Sequence, residues 1–312
     1  MRGLFLCMAL GLLAATPVRA QDFINILTGG TSGVYYPLGN ALSSIYAEAL
    51  PKARVTVQST KASVENLNLL QLGRGEVAFT LGDSLTYAWA GNEEMGFAKP
   101  LDKLRTVAAI YPNYIQIVAS EESGIETLSD LAGKRVSVGA PKSGTEVNAR
   151  TVFAAAGLGY EDMDVQYLPF GESVELIKNR QLDATLQSAG LGVASIRDLA
   201  SSVPITVVSV PEEIAAKIDD PSFIGATIPA GTYDGQDKDV STVAINNYLV
   251  TREGLDESIV YTLTKAMFDN LGDLAAAHSA ARSMSLEKAP EQPPVPLHPG
   301  AERYYRERGV VR

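Results

Sequence analysis

The first half of the chain alternates short apolar runs with longer segments whose apolar residues have helical spacing. Residues 23–27, 54–58 and 77–79 have the length and composition of β-strands, whereas residues 36–50 and 64–72 carry apolar side chains three or four positions apart. Strands that alternate with helices of this length are typical of a mostly parallel sheet with helices on both faces. The pattern therefore predicts a βαβαβ unit.

The same alternation begins again after a long apolar stretch at residues 106–119. Pro112 and Asn113 interrupt this stretch, and because proline cannot donate to a strand ladder we expect two strands that meet at a bend. The pattern beyond predicts strands at residues 135–139, 165–168, 184–187, 205–210 and 242–250, and helices at residues 144–156, 174–179 and 256–278. We therefore expect two similar α/β lobes.

The first twenty residues have the pattern of a secretory signal peptide. Arg2 gives a positive start, residues 4–15 are apolar, and small residues precede a predicted cleavage before Gln21. The alternative is an uncleaved membrane anchor, but the apolar run is shorter than the roughly 18 residues that a membrane span needs. We expect residues 1–20 to be removed and the mature protein to be periplasmic.

Charge and cysteine content narrow the chemistry of the mature chain. Without residues 1–20 it would carry 24 basic and 36 acidic residues, a formal charge of −12, and the single cysteine, Cys7, would be lost. The acidity argues against a nucleic-acid partner because phosphates need a basic surface. The absence of a thiol from residues 21–312 excludes disulfides, a cysteine nucleophile and a thiolate metal site there. As a separate expectation, we take the mature protein to be a monomer.

Two glycine-rich loops are candidates for binding an anion. The first, residues 28–33, lies between a predicted strand and helix, where free backbone N–H groups and the helix dipole attract negative charge and Thr31 and Ser32 can add hydroxyl donors. The second, residues 139–146, occupies the equivalent place in the second lobe, with Ser143 or Thr145 as the helix N-cap. The alternative for each is a tight structural connection. Together they predict two helix starts that face one cleft.

Three further polar loops follow predicted strands, at residues 59–66, 82–84 and 187–190. Ligands of open parallel sheets bind at the carboxyl ends of strands, so these loops would converge on the same cleft. Catalytic motifs are scarce by comparison: His278 and His298 lie far from the loops, and no metal or cofactor motif is present. An enzyme that uses Asp83 or Glu146 as an acid or base is the alternative to a binding protein.

Several long motifs, in order along the mature chain, are similar to the TAXI family, solute receptors of tripartite ATP-independent periplasmic (TRAP) transporters. They are TGGTSGVYYPLG, STKASVENL, VGAPKSGTE and IPAGTYDGQDKDVSTVAINNYLV. The resemblance implies a type II periplasmic-binding-protein fold of the α/β class, with two α/β lobes, a hinge and an interlobe ligand cleft. Lobe 1 would be residues 21–112 plus 241–312, and lobe 2 residues 113–240. The receptor would deliver its solute to a membrane permease driven by an ion gradient; a sensor that docks on a receptor kinase is the alternative.

The resemblance also implies the ligand contacts. They would come from Thr31, Ser32, Tyr35, Thr60, Ser63, Asp83, Ser143, Gly144, Thr145 and Gln187. This chain departs from relatives at Lys61 and Lys142, which stand where small residues are common. Two lysines beside the cleft could pair with carboxylates, which favours a dicarboxylate such as 2-oxoglutarate or an acidic amino acid such as glutamate. The alternative is that both lysines are solvated at the rim.

Overall fold

A computed structural model describes residues 23–311 of the chain; the predicted signal peptide lies outside these residues. The first part is the expected βαβαβ unit. Its strands β1 (Phe23–Leu27), β2 (Arg54–Gln58) and β3 (Val77–Leu81) are parallel in the order β2-β1-β3, and helices α1 (Tyr35–Ala49) and α2 (Ser63–Gln71) form the crossovers. A third helix, α3 (Gly82–Ala90), follows β3 without a loop, where the sequence predicted only a polar turn.

Two long strands connect the two parts of the molecule. Strand β4 (Leu104–Ser120) and strand β10 (Val240–Arg252) are antiparallel to each other along much of their length. The prediction of two separate strands that meet at Pro112 was wrong, because β4 continues through the proline. A register shift between Asn246 and Tyr248 of β10, opposite Pro112 and Ala109, accommodates an extra residue on β4 beside the proline.

The second part is built on the far ends of these two strands. Strands β5 (Arg135–Ser137), β6 (Asp164–Gln166) and β7 (Ala184–Ala189) continue the sheet from β4 in the order β4-β7-β5-β6, and β8 (Ile205–Val208) and β9 (Phe223–Ile228) pair with β4 and β10. The helices of this part are α4 (Gly144–Ala155), α5 (Phe170–Lys178), α6 (Ala194–Ser202) and the short α7 (Glu212–Ala215).

The C-terminal segment returns to the first part. The pattern at residues 256–278 is divided into α8 (Glu257–Asp269) and α9 (Leu271–Ala277), with the break at Asn270. The proline-rich segment ends in α10 (Pro299–Glu307), which packs closely on α8: a Cβ on Gly300 would lie 2.3 Å from the Glu257 carbonyl oxygen. The last helix therefore belongs to the packed structure and is not a loose tail.

Apolar side chains on the helices cover both parts of the sheet. In the first part Leu38 and Leu42 of α1 belong to the same buried cluster as Ile24 and Ile26 of β1. In the second part another cluster contains Val152 and Phe153 of α4 together with Val136, Ile117 and Leu186 of the sheet. Each fully buried aliphatic side chain contributes about 1.5–3 kcal/mol through the hydrophobic effect. Within residues 23–311, no helix combines the length and the apolar composition that a bilayer crossing requires.

Candidate functional site

A cavity of about 450 Å³ lies between the two parts of the molecule. Residues 29–35 and 59–63 line it from the first part, and Ala140, residues 143–145 and residues 169–172 line it from the second. Its volume is within the range that proteins use for small-molecule ligands. Of the three polar stretches expected to converge on one cleft, residues 59–63 and 188–189 line this cavity, whereas residues 82–84 do not.

Four helices begin at the wall of this cavity. Their first residues, Tyr35 of α1, Ser63 of α2, Gly144 of α4 and Phe170 of α5, all line it. The first N–H groups of a helix have no partner within the helix, and the helix dipole adds partial positive charge there. Ser143 caps α4 by accepting a hydrogen bond from the Glu146 N–H group at 3.1 Å. The partial positive charge of these four helix starts is therefore directed at the cavity.

Hydrogen bonds hold the loops of the first part in a fixed position. The Thr60 hydroxyl donates to the Thr28 carbonyl oxygen at 2.9 Å, and the Ser59 hydroxyl donates to the Gly29 carbonyl oxygen at 2.9 Å. The buried Asn66 amide donates to the carbonyl oxygens of Thr28 at 2.7 Å and Phe79 at 2.9 Å. These bonds join the ends of β1, β2 and β3, so this wall is organised before any ligand binds.

A second network lies beneath the cavity at the two connecting strands. Tyr35 stacks on Phe79 with ring centroids 5.0 Å apart, and its hydroxyl donates to the Asn247 side chain. The Asn247 amide donates to Asn113 Oδ1 at 2.8 Å, and the Asn113 amide donates to the Ser188 carbonyl oxygen at 2.8 Å. Burial raises the pKa of Tyr35 far above its ordinary value, so Tyr35 presents a neutral hydroxyl.

Nine of the twelve residues predicted from the sequence line the cavity. They are Thr31, Ser32, Tyr35, Thr60, Lys61, Ser63, Ser143, Gly144 and Thr145. Lys61 is the only cationic side chain among the lining residues of the described chain, and Glu172 is the only anionic one. Both are exposed, which places them towards the mouth.

The structure places the other three predicted residues away from the cavity wall. Lys142 lies in a separate depression of about 240 Å³, together with Glu94, Glu146 and Arg150. Its positive φ of 63° belongs to the tight turn before α4, which directs the side chain out of the cavity. Of the two lysines expected beside one ligand, only Lys61 therefore lines the cavity.

Asp83 and Gln187 are fully buried, and each is hydrogen-bonded to another side chain. Asp83 accepts from the Asn148 amide at 2.6 Å, and Gln187 accepts from the Ser195 hydroxyl at 2.6 Å. Consecutive residues of a strand point to opposite faces, so the neighbour Ser188 lines the cavity and Gln187 does not. In this conformation neither side chain can reach a ligand.

Several lining residues were not predicted as ligand contacts. Tyr111 and Asn113 flank Pro112, and Phe170, Gly171 and Glu172 begin α5. The sequence predicted this helix only from residue 174 onwards. Pro169 gave a usable signal for an earlier start, because proline is common at the beginning of helices.

The rims of the cavity touch across the two parts. The Glu65 N–H group donates to the Lys142 carbonyl oxygen at 3.2 Å on one side. On another side Gly171 approaches Ser32 so closely that a Cβ on the glycine would lie 3.4 Å from Ser32 Oγ. The two parts are therefore in contact at these rims, an arrangement that we call the closed form.

The two histidines have structural roles outside the cavity. His298 Nδ1 accepts from the Gly300 N–H group at 3.1 Å, and His278 Nδ1 accepts from the Ala280 N–H group at 3.1 Å. Burial lowers the pKa of both imidazoles. Across residues 23–311 no group of three or more His, Cys, Asp or Glu side chains is arranged to hold a metal ion.

Solved structures of periplasmic binding proteins share this fold. The periplasmic binding protein BugD is 10% identical, with 94% of this chain and 95% of that chain covered and a TM-score of 0.58. A structure described as a periplasmic transporter is 12% identical, with 92% and 93% covered and a TM-score of 0.57. A candidate L-cystine ABC transporter protein from Listeria monocytogenes is 14% identical, with 84% and 97% covered and a TM-score of 0.52. The predicted periplasmic-binding-protein fold is confirmed.

The amino-acid sequence shows to which family the chain belongs. A model of the NMT1-like family matches residues 26–309, which include nearly all of the described chain. The chain belongs to the NMT1-like family.

Proposed function

We propose that the protein is a periplasmic solute-binding protein that encloses a small organic anion between its two lobes. The observation that carries this proposal is the convergence of four helix starts and Lys61 on one cavity between the lobes. Free N–H groups, helix dipoles and a lysine all stabilise negative charge. The lining residues include neither histidine nor cysteine, and the lining carboxylate Glu172 has no second lining carboxylate to act with it, which supports a binding role over an enzymatic one.

The ligand we propose is a dicarboxylate such as 2-oxoglutarate or an acidic amino acid such as glutamate. Lys61 and the starts of α1 and α2 provide positive potential in the first lobe, and the starts of α4 and α5 provide it in the second. One carboxylate could thus be held by each lobe without Lys142. The hydroxyl groups of Thr31, Ser32, Thr60, Ser63, Ser143 and Thr145 would donate or accept hydrogen bonds.

The lobes we propose are residues 21–112 plus 241–312 and residues 113–240. The chain then crosses between lobes in β4, at Pro112 and Asn113, and in β10, near Ser241 to Ala244. Bending of these two strands would open and close the cavity. The closed receptor would be recognised by the permease of a TRAP transporter, as the resemblance to the TAXI family implies.

A thermal-shift screen of the purified protein tests the proposal. The panel contains dicarboxylates, acidic amino acids, neutral amino acids and sugars, each titrated until the shift saturates. We expect saturable stabilisation by a carboxylate and none by sugars, because a ligand that binds only the folded state raises the melting temperature by mass action. Stabilisation by a sugar alone would contradict the anion proposal. Uptake of the same ligand by cells that express the candidate TRAP permease with and without this chain tests the delivery step.

A further inference from the structure

Asp83 is a fully buried carboxyl group that the proposed binding site does not use. It stands in the first turn of α3, in lobe 1, and its Oδ2 accepts from the Asn148 amide of α4, in lobe 2, at 2.6 Å. Four residues further along α3, the Tyr87 hydroxyl donates to Asp220 Oδ2 at 2.5 Å, also in lobe 2. One face of α3 is therefore joined to the opposite lobe by two side-chain hydrogen bonds.

The pair of Asp83 and Asn148 contains two buried acceptor atoms that its hydrogen bond does not satisfy. Asp83 Oδ1 and Asn148 Oδ1 have no partner within residues 23–311. Both atoms belong to side chains that are already joined, and two bare acceptors cannot bond to each other. A proton on Asp83 Oδ1 would let the carboxyl donate to the amide oxygen, so that acid and amide form two hydrogen bonds side by side. A buried acceptor without a partner is destabilising, and the added proton would give both oxygens a partner.

We propose that Asp83 is a proton-binding site between the lobes, which takes up one proton when the lobes close. Opening would separate α3 from α4 and bring the carboxyl into water, where the ionised form is favoured. The closure equilibrium therefore shifts towards the closed form when Asp83 is protonated, and the ligand affinity coupled to closure increases. This inference rests on the hinge closure of the proposed function.

The electrostatic surroundings of Asp83 support this assignment. Burial, and secondarily the charge of Asp220, raises its pKa to about 7 in the closed structure, whereas the polar groups of Ser84 and Asn148 beside it act in the opposite direction. The cation on α4, Arg150, is already paired with Glu146 at 2.5 Å. The other ionisable groups on α2, α3 and β10, which pack around Asp83, are Glu65, Tyr87, Tyr248 and Arg252. Arg252 is paired with Glu76 at 3.2 Å, and Tyr35 of α1 also lies near Asp83.

The sign of the pH dependence follows from these pKa values. The carboxyl has a pKa of about 7 when the lobes are closed and an ordinary value of about 3.9 when it is solvated. Protonation favours closure fully below the lower value, progressively less between the two values, and not at all above the higher one. Between pH 6 and pH 8 the closure equilibrium should weaken by about tenfold.

A disulfide across the rim makes this test independent of any ligand. An ideal Cβ on Gly171 would lie 3.7 Å from Ser32 Cβ, a separation that suits a disulfide. Ser32→Cys with Gly171→Cys, in a Cys7→Ser background, places the only two thiols of the chain there. Because the bond forms only in the closed state, its equilibrium constant against glutathione reports closure. The same constant is measured for the disulfide variant that also carries D83N. In the ratio of the two constants, the pH dependence of the thiols themselves cancels.

We expect the ratio to fall from pH 6 to pH 8, by the full tenfold where the reduced chain is mostly open, because D83N keeps an uncharged pair with Asn148 at every pH. Asp219→Asn, an exposed neighbour of Asp220, is the matched control and should leave the dependence intact. A ratio that does not change with pH would overturn the proposal.

A second measurement does not depend on the folding of D83N. The Asp83 carboxyl carbon, assigned through its β protons, is titrated by NMR in the oxidised pair and in Gly144→Leu, whose side chain would hold the rims apart. A midpoint near 7 in the first and near 4 in the second supports the proposal, and equal midpoints overturn it. Neither result depends on whether the cavity binds an organic anion.

Discussion

Gly144 and Ser63 meet so closely at the wall of the cavity that no side chain fits between them. A Cβ on Gly144 would lie 2.6 Å from Ser63 Oγ and 2.6 Å from Leu81 Cδ1. Gly144 begins α4, whereas Ser63 begins α2 and Leu81 ends β3, so the contact joins the two proposed lobes. The closed form therefore depends on the absence of a Cβ at residue 144.

Gly144→Ala should weaken ligand binding. Its backbone φ is not positive, so alanine is tolerated locally and the effect comes from the clash across the cavity. Overpacking of this kind costs about 1–3 kcal/mol, which corresponds to a roughly five- to hundredfold higher Kd. Isothermal titration with the ligand found in the thermal-shift screen measures the change. Gly272→Ala, where a Cβ would meet nothing within 4 Å, is the control. An unchanged Kd for Gly144→Ala would mean that the lobes do not close in this way.

The two lysines singled out in the sequence should behave differently. Lys61 lines the cavity and Lys142 lies in the separate depression. Lys61→Ala should raise the Kd for an anionic ligand by about tenfold, because a charge-assisted hydrogen bond is lost. Lys142→Ala should change it by less than about twofold, since an exposed charge outside the cavity is screened. If Lys142→Ala had the larger effect in the same titration, the ligand would bind outside the described cavity.

An ion pair should stabilise the second part of the sheet. Asp183 accepts from Arg135 Nη2 at 2.6 Å and from the Arg135 backbone N–H group at 2.8 Å. The Arg135 guanidinium lowers the pKa of Asp183, so the contribution is present above the unfolded pKa of about 3.9 and is lost as the pH falls through the lower folded value. Asp183→Asn should reduce the free energy of unfolding at pH 7 by about 1 kcal/mol, since the partly exposed arginine is screened.

Urea denaturation at pH 7 and at pH 3 measures this difference. We expect the gap between the parent protein and Asp183→Asn to shrink at the lower pH, whereas Asp237→Asn, an exposed aspartate, should match the parent at both. A gap that stays constant down to pH 3 would show that the charge of Asp183 is not the cause.

His298 should make the protein sensitive to mild acid. Nδ1 accepts from Gly300, so Nε2 carries the proton and donates to the Leu255 carbonyl oxygen at 3.0 Å. Burial lowers the pKa of His298 below its ordinary value of about 6.5, so the neutral form stabilises the fold above that pH and stability falls as the pH decreases below it. His298→Asn should reduce the free energy of unfolding at pH 8 by about 1 kcal/mol, because the hydrogen bond to the Leu255 carbonyl oxygen is lost. It should also flatten the decline in melting temperature between pH 7 and pH 5; parallel pH profiles for the two proteins would contradict this role.

The sequence predicted the fold more completely than the side chains at the site. Strand and helix order follows from local apolar spacing, which is why β1 to β3 and their crossovers were predicted correctly. The path of β4 through Pro112 could not be predicted, because it depends on how β10 pairs with it across a register shift. Such pairing joins residues far apart in the chain, and no local pattern encodes it.

At two places the backbone directs the side chains of neighbouring residues to different surroundings. Ser188 lines the cavity and Gln187 does not, because adjacent strand residues face opposite ways. Lys142 and Ser143 are separated by the turn at residue 142, whose positive φ sends one side chain outward and leaves the other as the cap of α4. Composition identified the segments, but the backbone decides which side chains line the cavity.

The central claim is that a small organic anion is enclosed between the two lobes, and intact-mass spectrometry under native conditions tests it most directly. The protein is purified without added solutes, its mass is compared with the mass after denaturation, and the released small molecule is identified. The account predicts one bound carboxylate per chain, which is lost from a sample of Gly144→Ala and which stabilises the stripped parent protein when it is added back. A released molecule without an anionic group, bound equally by Gly144→Ala, would contradict the account.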